Sequence, residues 1–433
     1  MRWLWFLFAA LLCFLAALFT RQPLVLLSLV PLLDILITHT VKWPWINNHP
    51  KKKRKTWIGL LIWAILTGLI IRIFVLDSLY VGDDHSRNEL QQGDCVLISK
   101  LSYGPRLPVT PLHLPFTNNY LPFSKTRLSY TEWPHLQPVR MNGLTAIKRN
   151  DLVAFNFPEG DSVVTGQDNL SFYALRRQAM ITGNESEMII QPEYRPVDRR
   201  KIEISRCKGL PGDTITIDKG RVFVNGKLEG CLQKTSLNHL IEKEINDSLV
   251  KVLLDTYHLK AKEIRRYPGL GILMPLRIDQ QIEVATSFKT KVNPVMLSSG
   301  QGDYNIFPHD IRFPWNRDNL GPIILPGKGD SVRLTPENLP IYERIIRVYE
   351  NNHLEVRRNE IRINGISTKY YTFRQNYYFV LGDNRHHSRD SRHWGFLPED
   401  HITGKPILIW FSSRVDSNLT TRILWKRMLR VPV

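Results

Sequence analysis

The chain is 433 residues long, enough for two or three domains and for a sizeable hydrophobic core. Lys and Arg number 58 against 40 Asp and Glu, a formal charge of +18, with 43% of residues hydrophobic and 23% charged. That mixture excludes a wholly disordered chain and a many-span transporter.

The average hides an asymmetry. Three apolar runs fill the first 76 residues: Trp3 to Thr20, Pro23 to Thr40 and Trp57 to Leu76. Each is about long enough to cross a hydrocarbon core at roughly 1.5 Å per helical residue. The first run has no small-x-small cleavage site and meets the next after Arg21-Gln22, so it reads as one arm of a retained hairpin, not a signal peptide. Lys42 and Lys51-Lys52-Lys53-Arg54-Lys55 lie between the second and third runs, and the positive-inside rule places that loop and Met1 in the cytoplasm. Between two spans such a run reads as a topology signal, not a nucleic-acid patch, and no nucleic-acid motif accompanies it. The remaining excess charge suits a domain facing an anionic bilayer surface. The expected organisation is a transmembrane hairpin over 1–41, a basic cytoplasmic loop over 42–56, a third span over 57–76, an exported domain over 77–413 and a basic tail over 414–433.

The exported part reads as mostly β. Short, β-branched, turn-bounded runs occur at Cys95 to Ser99, Leu152 to Asn156, Thr214 to Asp218, Arg221 to Asn225, Leu354 to Val356, Ile361 to Asn364, Tyr377 to Leu381 and Ile407 to Phe411. Asn225-Gly226 and Asn364-Gly365 supply tight-turn chemistry after two of them. Between Leu232 and about Gly269 the period changes, with Leu240, Ile241, Ile245, Leu249, Val252 and Leu253 spaced for an amphipathic helix. With the stretch to about Arg317, this predicts a partly helical insertion over about 232–317. Of the four cysteines, Cys95, Cys207 and Cys231 fall in this part at no metal-ligand spacing; one disulfide is allowed but not required.

Three segments carry unusual density: Leu90 to Arg106, Arg206-Cys-Lys-Gly-Leu-Pro-Gly-Asp213, and Gly382-Asp-Asn-Arg-His-His-Ser-Arg-Asp-Ser-Arg-His-Trp-Gly-Phe-Leu-Pro398. The last is a charged run between strands that must fold on itself through hydrogen bonds. In this order, behind a membrane span, the three resemble type I signal peptidase (leader peptidase), and Ser102-Tyr-Gly-Pro-Arg106, Trp315-Asn-Arg-Asp-Asn319 and Pro398-Glu-Asp-His401 resemble a long bacterial form with an insertion. The resemblance implies a membrane-bound serine protease whose Ser-Lys dyad cleaves signal peptides, a neutral lysine taking the proton of the attacking serine. It implies no cofactor and no metal.

Matched position by position, the chemistry is missing. In the family the nucleophile stands eight residues before the glycine matched by Gly93, and thirteen after the arginine matched by Arg72; both place it at His85. The lysine precedes the arginine matched by Arg206, and that position is Ser205. The oxyanion serine, two before the nucleophile, is replaced by Asp83, whose carboxylate would oppose a developing negative charge. In the family the serine matched by Ser388 bonds the lysine, and the residues matched by Asp390 and Arg392 form an ion pair; all three are retained.

Ser86 is the alternative nucleophile, but neighbouring side chains of an extended segment face opposite ways. Lys208 stands at an odd offset from Ser205, and Lys201 at an even one roughly 13 Å away. A metal site among Asp83, Asp84, His85, His386, His387 and His393 is weaker than the reading of these histidines as hydrogen-bonded or surface groups. A triad from Asp84-His85-Ser86 fails, because sequence neighbours cannot line up as a relay.

The expectation is therefore an inner-membrane, multi-pass protein with a cytoplasmic N-terminus and an extracytoplasmic signal-peptidase-type β domain. It is catalytically impaired or inactive and binds signal peptides of exported preproteins, with the lipid bilayer and an active signal peptidase paralogue as further partners and no nucleic acid. The rival is an active serine endopeptidase that uses Ser86.

Overall fold

The computed structural model describes residues 67–82, 89–114, 119–121, 124, 127–164, 167–183, 192–230, 235–243, 246–257, 259, 261–357, 360–415 and 421–432, with single positions before 67. The first two expected spans fall almost wholly outside them, as do the basic loop 42–56, residues 57–66 of the third span and Cys231. Among the described residues no helix is long and apolar enough to cross a membrane. A helix over 67–74 ends just ahead of the first strand, so Leu76, expected at the end of a span, is instead the first residue of a strand, pairing with Ser99.

In chain order, the strands that frame the site are β1 (Leu76–Tyr80), β2 (Asp94–Ser99), β3 (Leu152–Asn156), β4 (Ile202–Gly209), β5 (Leu237–Ile241), β6 (Gly271–Leu276), β7 (Tyr377–Leu381) and β8 (Ile402–Val415). The principal sheet has the order β1-β2-β8-β3-β4-β7, then Leu397–Pro398, with Thr421–Ile423 added to β8. Every pairing in it is antiparallel.

β3 shows why the centre of this sheet holds. Its residues are all buried, so both faces are covered, and the alternation of a strand sends successive side chains to two cores. Leu152 and Ala154 join Leu90, Val96, Ile98, Ile204 and Ile409. Val153 and Phe155 join Tyr103, Cys207, Tyr378, Val380, Trp394, Leu397 and Ile402. Trp394 lies 5.7 Å, centroid to centroid, from Phe155 and 6.5 Å from Phe157, and donates Nε1–H to the Arg389 carbonyl.

A second four-stranded sheet runs Lys227–Leu228, Arg221–Val224, Thr214–Asp218, Leu320–Ile324. Its hairpins close as the turn residues require: Asn225 and Gly226 have φ of 51° and 76°, and Asn364 and Gly365 have 51° and 82° in a neighbouring hairpin. Left-handed pairs of this kind match the twist of the flanking strands.

Residues 235–294 form a third unit, with a four-stranded sheet in the order Arg265–Tyr267, β6, β5, Val292–Pro294. Helices α1 (Asp247–Thr256) and α2 (Ile278–Phe288) contribute Val250, Leu253 and Val284 to a core with Ile241, Ile272, Met274 and Leu276. The helical period expected from Leu240 onwards starts too early: Leu240 and Ile241 are strand residues paired with Leu273 and Ile272, and the helix begins at Asp247. An apolar doublet fits either period, and cross-strand pairing decides it.

Trp394→Ala is expected to lower the stability of the β domain by about 3–5 kcal/mol, because the cavity lies between two aromatic rings that cannot collapse into it. A thermal unfolding midpoint within a degree of the parent would contradict the packing described.

Candidate functional site

The Gly382 to Pro398 segment leaves β7 and returns as the short strand Leu397–Pro398 beside it. Its fold is set by one buried ion pair. Arg392 donates through Nε and Nη2 to the two oxygens of Asp390, both at 2.8 Å, and neither side chain is more than 1% exposed. Asp390 also accepts the Gly382 and Arg392 amides, capping a short helix, Ser391–Trp394. Burial alone would raise the Asp390 carboxyl, but Arg392 and His393 beside it hold it far below the usual carboxylate range. Ser388 Oγ donates to the Asn384 carbonyl at 2.7 Å.

β4 delivers the second group. Ser205 is 3% exposed and pairs with Val153 of β3. Next to it Arg206 makes a two-pronged ion pair with Asp383, at 3.0 and 2.9 Å, which ties β4 to the start of the box. The pairing of β4 with β7 carries an irregularity between Cys207 and Gly209, around Lys208, and such bulges re-aim side chains. The Lys208 amine bonds Glu229 at 2.8 Å and Asn150 at 2.6 Å, and the Lys201 amine stands 3.4 Å from Glu203. Burial pushes the Cys207 thiol well above its ordinary value. Asp83, Asp84, His85 and Ser86 lie outside the described residues.

The 235–294 unit closes against the box from the other side. Ser236 forms a parallel bridge with Asn384, donating its amide to the Asp383 carbonyl while its own carbonyl accepts from the Arg385 amide. The Asn238 amide donates to His386 Nδ1 at 2.9 Å, and His386 Nε2 bonds Asp318 at 2.8 Å, both side chains out of water. With Nδ1 accepting, the proton sits on Nε2 and the ring is neutral. Burial lowers the pKa of His386, and Arg317 and Arg392 oppose a charged ring; Asp318 pulls the other way. Arg392 Nη1 reaches the Arg317 carbonyl, and the Phe307 amide donates to the Arg392 carbonyl. Sequence spacing has no signal for these links, which join residues about seventy to one hundred and fifty positions apart. Of the histidines weighed as metal ligands, His386 and His387 instead bond Asp318 and Asn238. Among the described residues no cluster of His, Cys, Asp and Glu could hold a metal ion.

Comparison with known proteins gives this arrangement its family. The model for signal peptidase, peptidase S26, matches residues 54–263 and 325–411, more than half of the chain. The chain belongs to the signal peptidase S26 family. Its matched residues include the Leu90 to Arg106 segment, the Arg206 to Asp213 segment and the box; residues 264–324 fall between the two matches. It is similar to the Signal peptidase I of Aquifex aeolicus, 54% identical over 43 residues, 10% of this chain and 17% of that one. The Signal peptidase I of Haemophilus influenzae is 46% identical over 54 residues, 12% and 16% of the two chains. That of Pseudomonas aeruginosa is 33% identical over 97 residues, 20% and 31%. The matched stretches cover less than a third of each of these relatives.

In this family member the link between box and 235–294 unit is titratable. His386 in the folded state lies below its ordinary 6.5, so the unfolded chain takes the proton first. The stability it contributes is complete above about pH 6.5 and is lost as pH falls toward the folded value. Asp318 and Asp390, both depressed from 3.8, weaken the fold only at still lower pH. The protection factor of the Asn238 amide, its exchange rate set against the intrinsic rate at the same pH, is therefore expected to fall as pH drops below about 6.5, and His386→Gln to flatten that dependence. A fall of equal size in the variant would refute the role given to the ring.

Proposed function

We propose that this chain is a membrane-anchored signal-peptidase-family protein that no longer cleaves by a Ser-Lys dyad and instead binds signal-peptide segments or partners an active peptidase. The observation that carries the reading is Ser205, a buried hydroxyl at the position matched to the family's general base, with the Lys208 and Lys201 amines of the same stretch beside Glu229 and Glu203. A hydroxyl there cannot take the proton of a nucleophile near neutral pH. His85 at the nucleophile position and Asp83 at the oxyanion position compound the loss.

The binding half rests on the retained framework. β1 is the terminal strand of the principal sheet, and an extended peptide can add to such an edge through main-chain hydrogen bonds without any catalytic group. We place the three apolar runs, the third ending ahead of the strand that opens at Leu76, across the bacterial inner membrane, with Met1 and the 42–56 loop inside, the β domain outside with its insertion over about 232–317, and the basic tail over 414–433.

The test is cleavage of a preprotein with a small-x-small site by the full-length chain in detergent, beside Ser86→Ala and an active homologue. We expect no product from the parent or the variant, with a labelled signal peptide still retained by both. Product from the parent and none from Ser86→Ala would establish a relocated nucleophile and overturn the reading.

A further inference from the structure

Residues 101–145 form an arm that stands apart from the principal sheet. Its two legs run antiparallel and are laced by backbone amides donating to carbonyls: Leu144 to Leu101, Met141 to Pro105, Leu107 to Val139, Leu136 to Val109, Thr131 to Leu112 and Leu114 to Ser129. Antiparallel bridges at Arg106–Arg140, His113–Tyr130 and Tyr120–Leu128 continue the pairing.

One face of the arm is fastened to the body. Arg140 donates to the carbonyls of Gly104, Glu399 and Ile402, and Arg106 to the Asp400 carbonyl and to Asn156 Oδ1. Further along, Thr110 donates to Asp198 and accepts from Arg199, and Tyr130 is buried. In an extended leg the residues on either side of an inward one point the other way. Val139 and Met141 flank Arg140, and Leu112 and Leu114 flank His113, the bridge partner of Tyr130; all four are between 45% and 53% exposed. On the returning leg Trp133 is 81% exposed, and at the root Leu144 is 79% exposed beside Leu101. A continuous apolar face of this kind marks a contact surface, unlike apolar residues scattered singly.

What covers the face follows from where the arm is rooted. The Lys100 amide donates to the Val75 carbonyl, and its amine to the Arg72 carbonyl at 2.8 Å, at the last turn of the 67–74 helix. The next residue, Leu101, accepts from Leu144. The root is thus tied to the end of the third apolar run, where the chain leaves the bilayer on the placement proposed above. The arm carries four basic residues, Arg106, Lys125, Arg127 and Arg140, and one acid, Glu132, a balance that favours anionic headgroups. A tryptophan among leucines suits the boundary between headgroups and acyl chains.

We propose that the 101–145 arm lies on the outer leaflet of the bilayer, with Leu112, Leu114, Trp133, Met141 and Leu144 at the depth of the headgroups and upper acyl chains. The inference rests on the membrane placement proposed above, and the two can fail separately.

The experiment uses the full-length chain in vesicles of phosphatidylcholine and phosphatidylglycerol, carrying Cys13→Ser and Cys231→Ser; Cys95 and Cys207 are buried and stay. An environment-sensitive dye is attached at Leu144→Cys and, in a second variant, at Trp133→Cys. Alkaline carbonate first tests placement: a chain that is released is not anchored, and both ideas fall. On the anchored chain we expect quenching by spin labels near the lipid headgroup, and quenching by aqueous iodide about fivefold weaker than for the dye in water. Trp133→Cys decides the matter if Leu144→Cys does not fold. Iodide quenching equal to that of the dye in water leaves the membrane placement standing and overturns the arm's contact. A dye shielded from iodide but untouched by the lipid labels assigns the face to a protein, a second copy of this chain if the shielding fades as protein is diluted in lipid, and overturns the bilayer as its occupant.

Discussion

The Asp390 carboxylate and the Arg392 guanidinium face each other almost wholly out of water. Either charge left alone there would cost several kcal/mol, so the geometry around them is tightly constrained. Their remaining hydrogen bonds go to backbone from three separate stretches: the Gly382 amide at the end of β7, the Arg385 carbonyl inside the box and the Arg317 carbonyl in the segment returning from the 235–294 unit. One pair thereby sets where a strand ends, how the loop after it turns, and where the segment around Arg317, 75 residues upstream, comes to rest. Arg206 with Asp383 repeats the device one strand over and joins β4 to the same loop.

On the proposed reading, in which Ser205 stands where the family has its lysine, the exchange is mild against this framework. A buried amine is costly in an apolar setting, and the family tolerates that cost because a depressed lysine pKa is what the reaction needs. Ser205 lies opposite Val153, on the strand that carries Cys207 into a core with Trp394 and Val380. A small hydroxyl there removes the desolvation burden without disturbing a hydrogen bond of the ladder. On that reading stability and chemistry are lodged in different side chains, and the second set changes while the first persists.

Strands such as β3 and β7 were legible because they are continuous apolar runs bounded by turns, and the two Asn-Gly hairpins because left-handed turns demand those residues. The box was legible from its motif. β1 was hidden, since its leading residue reads equally well as the end of an apolar run. Leu240 and Ile241 read as helix in the sequence because an apolar doublet fits both periods, and only pairing with β6 decides between them. His386 gave no sign of its partner: a histidine becomes the neutral bridge between Asn238 and Asp318 through closure of the chain on itself, and nothing local to it encodes that closure.

β8 is fourteen residues long and lies inside the principal sheet, between β2 and β3. Its register sets Asp94 against Ser412 and Ser99 against Lys405, so strands made early in synthesis wait some three hundred residues, until Ile402–Val415 is made, before they gain their neighbour. Until then β2 and β3 have open edges, and such edges recruit other strands. A chain whose synthesis stalls before about residue 400 carries β1 to β7 but leaves the facing edges of β2 and β3 unpaired, so the sheet is held in two halves until β8 is made.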